Sequence, residues 1–310
     1  MRELQKINEL LTPAELAEVT RKSDLLGAWM VFCQWAAVVA IFWIAAIWTN
    51  PLTLVLGTLL LGGRHLGFGV LSHECGHKTL FRTRWLNEFV ANWLLAPAHF
   101  SNNYAYMRGH LQHHRFAGTA DDPDLPNYRD YPVTPERLRR KIRRDLTGQT
   151  GWRTVKGIWQ KLINIHRLND ETRGCMLRGL AMNLALAGVL VAVGEGWLYL
   201  MWVVSFVFLQ PLVSRIRQVA EHGAVPDLYD PDPRNNTRTV HANLVERMFA
   251  PHRVNYHLEH HMLASVPAYR LKRLHEILTD KGYYAGVDFP NGYADLLRKV
   301  TTRSPAPTPA

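Results

Sequence analysis

The sequence predicts an all-α integral membrane protein with four transmembrane helices, arranged as two hairpins with an interfacial helix and a cytosolic helical cap. It contains four long apolar runs, at about residues 27–48, 52–71, 174–193 and 197–213. Runs of this kind cross a hydrocarbon core of ~30 Å. The turn within each pair is very short and has no Lys or Arg, whereas residues 99–173 and those after 214 are rich in Arg. This asymmetry predicts that both termini and the polar segments are cytoplasmic.

Charge and cysteine content narrow the class of protein further. The 310 residues carry a formal net charge of +10, and much of the basic excess lies next to the apolar runs. That distribution suits anionic lipid headgroups or an acidic partner, and no nucleic-acid recognition motif accompanies it. Cys33, Cys75 and Cys175 are widely spaced, which predicts no disulfide framework and no thiolate metal site. The N-terminus lacks the features of a signal peptide, so the first span is expected to act as the membrane signal.

Local signals place the remaining elements. Thr12-Pro13-Ala14-Glu15 forms a capping box for a charged helix over residues 13–24. Asn50-Pro51 makes the turn of the first hairpin. Residues 85–95 carry their aromatic and aliphatic side chains on one face and Asn and Glu on the other. This pattern predicts a helix that lies in the membrane interface and ends at Pro97.

The later polar segments are predicted to be soluble. Residues 119–170 have a soluble character and include a basic helix over 135–144 that begins at Thr134-Pro135-Glu136. Asp121-Asp122-Pro123-Asp124 fits a turn better than a site for a hard cation. An amphipathic helix is predicted over 267–280. Residues 1–301 then form a single domain, followed by a disordered tail at 302–310.

The histidines are distributed unevenly. Of the 15 in the chain, eight fall in three five-residue boxes: His73-Glu74-Cys75-Gly76-His77, His110-Leu111-Gln112-His113-His114 and His257-Leu258-Glu259-His260-His261. A helix returns to the same side after three or four residues, so each box presents its imidazoles on one face. Neutral imidazole is the commonest side-chain metal ligand, and eight are too many for one ion. The boxes therefore predict a two-metal site made almost entirely of nitrogen.

Helix length supplies a ninth candidate ligand. From Pro51 to His73 is 22 residues, or ~33 Å of helix, which passes just beyond the hydrocarbon core. From Trp197 to His222 is 25 residues, or ~38 Å if the fourth helix continues unbroken. His222 is thus expected at the level of the first box. The other six histidines stand alone and favour structural roles: His65, His99, His166, His241, His252 and His275.

Two other functions compete for these motifs. His73-Glu74-Cys75-Gly76-His77 also matches the HExxH pattern of zinc metalloproteases, with Glu74 as general base. That function leaves the other two boxes unexplained. A metal transporter would need ionisable residues near the bilayer midplane, whereas these histidines gather at one surface. Ligand type alone does not select the metal, because imidazole suits iron, copper, zinc and nickel.

The three boxes, the two hairpins and the stretch Asn255-Tyr256-His257-Leu258-Glu259-His260-His261 together resemble the membrane fatty acid desaturase and hydroxylase superfamily, over about residues 30–280. The resemblance implies a non-haem diiron centre, with O2 as co-substrate, that removes hydrogen from an unactivated C–H bond. It implies nine metal ligands: His73, His77, His110, His113, His114, His222, His257, His260 and His261. Two positions depart from the family pattern, the first at a water-mediated contact and the second in a way that argues against the front-end subgroup. Gln218 stands where Asn is often found, and His257 opens the third box where front-end desaturases have Gln.

Glu74 and Glu259 are the candidate catalytic-site carboxylates, because each lies beside a ligand and can accept its second ring N–H. The implied substrate is a long-chain acyl lipid and the implied reaction is desaturation, with a lipid or isoprenoid hydroxylase or ketolase as the alternative. Electrons are expected from an external ferredoxin-like or cytochrome b5-like donor, since the sequence shows no flavin fingerprint, no His-Pro-Gly-Gly and no cysteine cluster. The basic helix at 135–144 is a candidate dock for that donor.

Overall fold

The computed structural model describes residues 7–301, and apart from one isolated bridge between Val133 and Thr301 its regular structure is helical throughout that range. The α-helices are α1 (Ile7–Leu10), α2 (Pro13–Thr20), α3 (Asp24–Ile47), α4 (Pro51–Gly76), α5 (Arg84–Val90), α6 (Asn103–Phe116), α7 (Leu125–Tyr128), α8 (Pro135–Leu146), α9 (Gln149–Ile163), α10 (Asp170–Ala192), α11 (Leu198–Val204), α12 (Gln210–His222), α13 (Pro233–Asn236), α14 (Leu244–Phe249), α15 (His257–Met262), α16 (Ala268–Asp280) and α17 (Tyr293–Lys299). The all-α prediction is confirmed. The predicted tail at 302–310 lies outside the described residues, and the single-domain boundary stays a prediction.

Within residues 7–301, four helical runs are long and apolar enough to cross a membrane. They are Asp24–Ile47, Pro51–Gly76, Asp170–Ala192 and Leu198–His222. The shortest has 23 residues, or ~35 Å of helix, which exceeds a hydrocarbon core of ~30 Å. All four predicted spans are confirmed. The second and fourth extend beyond the predicted ends, to Gly76 and His222, and so carry their histidines past the apolar zone.

The fourth span continues as the length calculation required, with one local change of pitch. A π-helical turn, Ser205–Leu209, joins α11 to α12 without interrupting the run. Such wide turns occur most often at functional sites, where they re-aim the side chains that follow. The turns within the two hairpins are compact. Asn50 caps α4 and forms a capping box with Thr53, while Gly194 makes the second turn with φ of +84°.

The predicted interfacial helix has the two asparagines of its polar face turned inward. Trp85, Phe89 and Trp93 are 64%, 47% and 52% exposed, whereas Asn87 and Asn92 are buried and bond to neighbouring backbone. An aromatic surface of this kind suits the boundary between lipid and water. The helix does not end at Pro97 as predicted. A π-helical turn, Ala91–Leu95, follows α5, and a 3₁₀ turn with Pro97 in its first positions runs to His99.

The segment 119–170 includes a helix with an exposed apolar face that was not predicted. α8 begins after the Thr134 cap, as predicted. The next helix, α9, exposes Trp152, Trp159 and Ile163. Its amphipathic pattern fits a second helix that lies on the membrane surface, and the prediction overlooked it because the segment as a whole is rich in charge.

The cap packs around α2 and α16. The capping box between Thr12 and Glu15 is confirmed, but α2 ends at Thr20, and Ser23 already caps the first span. The predicted amphipathic helix is α16, which buries its leucine stripe in a cluster that also holds Leu258 of the third box. The cap thus fixes the third box against the ends of the spans.

Candidate metal centre

All nine histidines predicted as ligands converge, and they do so in two groups. The first group, cluster A, contains His73, His77, His110, His114 and His260. The second, cluster B, contains His113, His222, His257 and His261. Within each cluster, one ring nitrogen from every member lies within 4.8 Å of the others, which is close enough for one metal ion to bind them all. The two clusters therefore agree with the prediction of two metal sites, which was based on the number of imidazoles.

Four separate elements supply these side chains. His73 and His77 stand at the C-terminal end of α4 and His222 ends α12, while α6 and α15 carry the other two boxes. Residues four apart on a helix share a face, so His110 and His114 enter the same cluster. Adjacent residues are turned by about 100° and diverge. The second and third boxes each therefore contribute to both clusters.

The Nε2 atoms approach one another at distances that suit a shared cation. Nε2 of His73 lies 2.7 Å from that of His110, and Nε2 of His114 lies 2.9 Å from that of His260. In cluster B, Nε2 of His257 lies 3.0 Å from that of His261. Two imidazoles bound at right angles with metal–nitrogen bonds of about 2.1 Å would have their nitrogens about 3.0 Å apart. The donor set thus has the spacing of ligands around an ion.

The second ring nitrogens show where the protons lie. Nδ1 of His222 donates to the carbonyl oxygen of Asn236 at 2.9 Å, and Nδ1 of His113 donates to Oδ1 of Asp122 at 2.8 Å. Nδ1 of His257 lies 3.2 Å from Oε1 of Glu221. A neutral imidazole with its proton on Nδ1 presents a lone pair at Nε2. Lone pairs facing one another at 3 Å repel unless a cation lies between them, so the residues fit a metal.

Burial keeps these rings in the form that binds metal. Burial lowers the pKa of His77 to about 4, and burial together with the neighbouring His77 and His113 lowers that of His114 to about 3. Both are therefore neutral near pH 7. Asp122 differs, because burial alone would raise its pKa but the hydrogen bonds from His113 and Tyr128 outweigh that effect and lower it. It remains a carboxylate that can hold the Nδ1 proton.

The two predicted carboxylates have different surroundings. Oε1 of Glu74 lies 3.3 Å from Nδ1 of His73, and its other oxygen accepts hydrogen bonds from Thr79 and from the backbone of Ala268. Glu74 thus ties the first box to the start of α16. Glu259 faces away from the clusters and, among the described residues, accepts from Thr239, His275 and Tyr284. It anchors the third box to the cap rather than orienting a box histidine.

Two other carboxylates, which were not predicted from the sequence, lie beside the second ring nitrogens of box histidines. Asp122 belongs to the segment assigned to a turn; it does make that turn, accepting from the backbone of Asp124 at 2.8 Å, and also bonds to His113. Glu221 lies beside His257 and pairs with Arg217. Its position directly before His222 repeats the Glu–His adjacency noted at the other boxes, and that signal could have identified it.

The lone histidines do not join the clusters, yet several lie near them. His99 and His252 line a cavity of about 180 Å³ that reaches His73, His257 and His260. His65 is buried in the second span with Nε2 3.0 Å from Oγ of Ser205. His275 bonds to Glu259 and packs against His241, while His166 is exposed.

The helices that could cross a membrane carry at one end two histidine clusters that could each hold a metal ion. Residues 49–290 match the family model for fatty acid desaturases. The chain belongs to the fatty acid desaturase family, which is a family of oxidoreductases. The resemblance seen in the sequence is thereby confirmed, and the family differs from the metalloprotease and transporter alternatives.

Several relatives share most of the chain. The dihydrorhizobitoxine desaturase of Bradyrhizobium elkanii is 25% identical over 285 residues, which cover 87% of this chain and 80% of that protein. An sn-1 oleoyl-lipid 12-desaturase of Arthrospira platensis is 22% identical over 80% of this chain and 75% of its own length. A protein of the same description from a Picosynechococcus species is 26% identical, with the same coverage. All are desaturases by description.

Proposed function

We propose that this protein is a membrane-bound, O2-dependent diiron desaturase that introduces a double bond into the acyl chain of a lipid. The observation that carries the proposal is the pair of nitrogen-only clusters at one end of the second and fourth apolar spans, completed by α6 and α15. Cluster A and cluster B would each hold one iron ion through their Nε2 atoms. The two ions, when bound, supply the activation of O2 and the removal of hydrogen from an unactivated C–H bond.

The chain's own residues then have three tasks. The helices hold the imidazoles at the distances described above, and Asp122 and the Asn236 carbonyl keep the Nδ1 protons of His113 and His222 in place. The buried surroundings of both clusters exclude bulk water, which protects a reactive centre from side reactions. The cavity beside His73 and His260 leaves room for a substrate next to cluster A. These features support oxidation of an apolar chain at the membrane surface.

Lipid profiling of cells that express the protein tests this function. The expected product is a lipid that has lost two hydrogens, identified by mass spectrometry, and it should be absent when His113 and His260 are both replaced by alanine. A product that has gained an oxygen would instead identify a hydroxylase on the same scaffold. If cells that express the wild-type protein at full level contain no altered lipid, the proposal is contradicted.

We further propose that the termini, the boxes and the cap face the cytoplasm. The Arg-rich loops flanking the spans support this orientation. In a protein whose three native cysteines are replaced and that carries one introduced cysteine, a membrane-impermeant maleimide should label position 195 from outside intact cells. The same reagent should reach position 149 only after the membrane is permeabilised. Labelling at 149 in intact cells would reverse the orientation.

The electron donor is proposed to dock on α8. This helix exposes Arg139, Arg140 and Arg143. Glu136, in the first turn of the same helix, is also exposed. A basic surface accelerates association with an acidic protein through long-range attraction, which salt screens. The proposed donor is an acidic ferredoxin-like or cytochrome b5-like protein.

Reversing charge at Arg140 and Arg144 should slow reduction of the enzyme by its donor by 10-fold or more at low salt, on the order of the effect of lost steering. The difference should shrink as salt is raised. Arg84→Glu, an exposed charge reversal at the start of α5, is the matched control. If stopped-flow kinetics are the same for the wild type, for the charge-reversed Arg140 and Arg144 protein and for Arg84→Glu, the docking proposal is contradicted.

A further inference from the structure

A short helix of the cap, α14, exposes an apolar face. Leu244, Val245 and Met248 are 79%, 64% and 46% exposed. Residues three and four apart are neighbours on a helix, so these three side chains form one surface. Phe249 turns the other way and lines a cavity within the protein. Contact of large apolar side chains with water is unfavourable, so the exposed face of α14 requires an apolar partner.

The contacts of α14 with the second span give its level in the membrane. α14 packs against α4 at Gly63, where a Cβ atom would come within 2.5 Å of the carbonyl oxygen of Met248 and 2.8 Å of Cα of Phe249. Gly63 precedes His73 by 10 residues, or ~15 Å of helix. Because His73 lies only about 3 Å beyond the hydrocarbon core by the same measure, α14 lies on the order of 10 Å inside the core boundary.

The exposed face of α14 continues an apolar stripe on α4. Leu52, Val55, Leu56 and Leu59 are exposed along this span. Helical spacing extends their side of α4 to Gly63, where α14 packs. The exposed apolar side of a helix that crosses the bilayer contacts lipid chains. The lipid-facing surface of the second span therefore runs without a break onto α14.

A charged side chain of the second span holds the end of α14. Nη2 of Arg64 donates a hydrogen bond of 2.6 Å to the carbonyl oxygen of Met248. This carbonyl lies in the last turn of α14, where backbone oxygens lack partners within the helix and carry the negative end of its dipole. Away from water, such an oxygen is unfavourable without a donor. Arg64 supplies the donor that water would supply at a solvated surface, and an ionisable residue within a span thereby has a role.

The segment that follows α14 is fastened to the spans as well. Nε2 of Gln34, a fully buried residue of the first span, donates to the backbone carbonyl of Arg64 at 2.7 Å. Oε1 of the same side chain lies 2.9 Å from Nε2 of His252. The third box begins five residues after His252, at His257. The seat of α14 in the membrane is thus connected to the chain that carries this box.

We propose that α14 is embedded in the bilayer, with Leu244, Val245 and Met248 against the acyl chains of the leaflet on the side of the metal centre, and that Arg64 fastens it there. The partner is lipid hydrocarbon and not a second protein, because the face lies below the level that a soluble protein reaches and continues the lipid-facing side of α4. The cap is therefore inserted into the membrane beside the second span. This inference concerns the seating of the cap and does not depend on the reaction.

Thiol accessibility in lipid nanodiscs tests the proposed surface. A protein whose three native cysteines are replaced carries one cysteine at position 245, 55 or 272. Val55 is exposed on α4 and Lys272 on α16 of the cap, so they are the references for lipid and for water. Position 245 should react with a water-soluble maleimide as slowly as position 55. A bimane at position 245 should be quenched by a nitroxide on the lipid acyl chain and not by iodide.

Two results would overturn the lipid contact. If position 245 reacts as fast as position 272 and its bimane is quenched by iodide, α14 lies in water. If position 245 is protected but the lipid nitroxide does not quench its bimane, another protein surface covers the face.

Variants of the second span test how α14 is held. Gly63→Ala places a methyl group against the backbone of α14, so a cysteine at position 245 should react faster with the maleimide. Gly69→Ala is the matched control on the same span, because a Cβ there meets no atom of the other described elements within 4 Å. Arg64→Met should also raise the reactivity, whereas Arg64→Lys keeps a donor and should retain protection. Protection unchanged in both Gly63→Ala and Arg64→Met would overturn the fastening. Labelling needs neither metal nor turnover, so these results stand apart from the test of the proposed function.

Discussion

Replacing His114 with alanine should leave the purified protein with about one metal ion per chain and should lower product formation at least 100-fold. Loss of a residue that merely orients a ligand already lowers metal affinity or activity 10–100-fold, so loss of a ligand itself should have at least the upper end of that effect. His114 belongs to cluster A and His113, its neighbour in sequence, belongs to cluster B. His113→Ala should therefore remove the other ion. The two variants would have the same metal content but different sites occupied.

Metal analysis combined with X-ray absorption of each variant checks this expectation. His166→Ala is the matched control, since that histidine is exposed and lies outside both clusters. It should retain the metal and the activity of the wild type. If His113→Ala and His114→Ala each lost all metal, the two ions would not be held by separate clusters. If both kept two ions, the assignment of ligands would be wrong.

Asp122→Ala should cost 10–100-fold in metal affinity at cluster B or in activity, because it removes the acceptor for the Nδ1 proton of His113. Without that acceptor the ring can rotate or adopt the other tautomer. Asp122→Asn keeps an acceptor oxygen but loses the charge, so its effect should be smaller. Tyr128 also donates to Asp122, and Tyr128→Phe should have a smaller effect again.

The control for Asp122 lies one residue away. Asp121 is exposed in the same turn, and Asp121→Ala should leave metal content and turnover unchanged. Metal titration against a competing chelator measures the affinity, and folding is followed independently by thermal unfolding. Equal losses in Asp121→Ala and Asp122→Ala would indicate damage to the turn rather than a role for the carboxylate.

Sequence periodicity identified much of the site because its parts are local. Spacing within a box is decided by the helix repeat, and the level of His222 follows from helix rise, so the approach of all nine histidines could be predicted. The division into clusters could not. Whether His113 or His114 meets His260 depends on how α6 and α15 are rotated relative to each other, and no local pattern contains that information.

The carboxylates show the same limit. Glu259 was expected beside a box histidine because the two are adjacent in sequence, but neighbouring residues on a helix point in different directions, and Glu259 contacts His275 and Tyr284 instead. Asp122 reaches His113 only because the turn folds back on α6. The exposed apolar face of α9 was hidden by its charged flanks, since Trp152 and Trp159 show a common face only when the helix boundaries are known.

The most direct test of the account is the metal content of the purified wild-type protein, measured with X-ray absorption at the iron edge. We expect about two iron ions per chain, with nitrogen as the only protein ligand atom at each. A single zinc ion with one carboxylate ligand would contradict it and would point back to the HExxH chemistry of the first box.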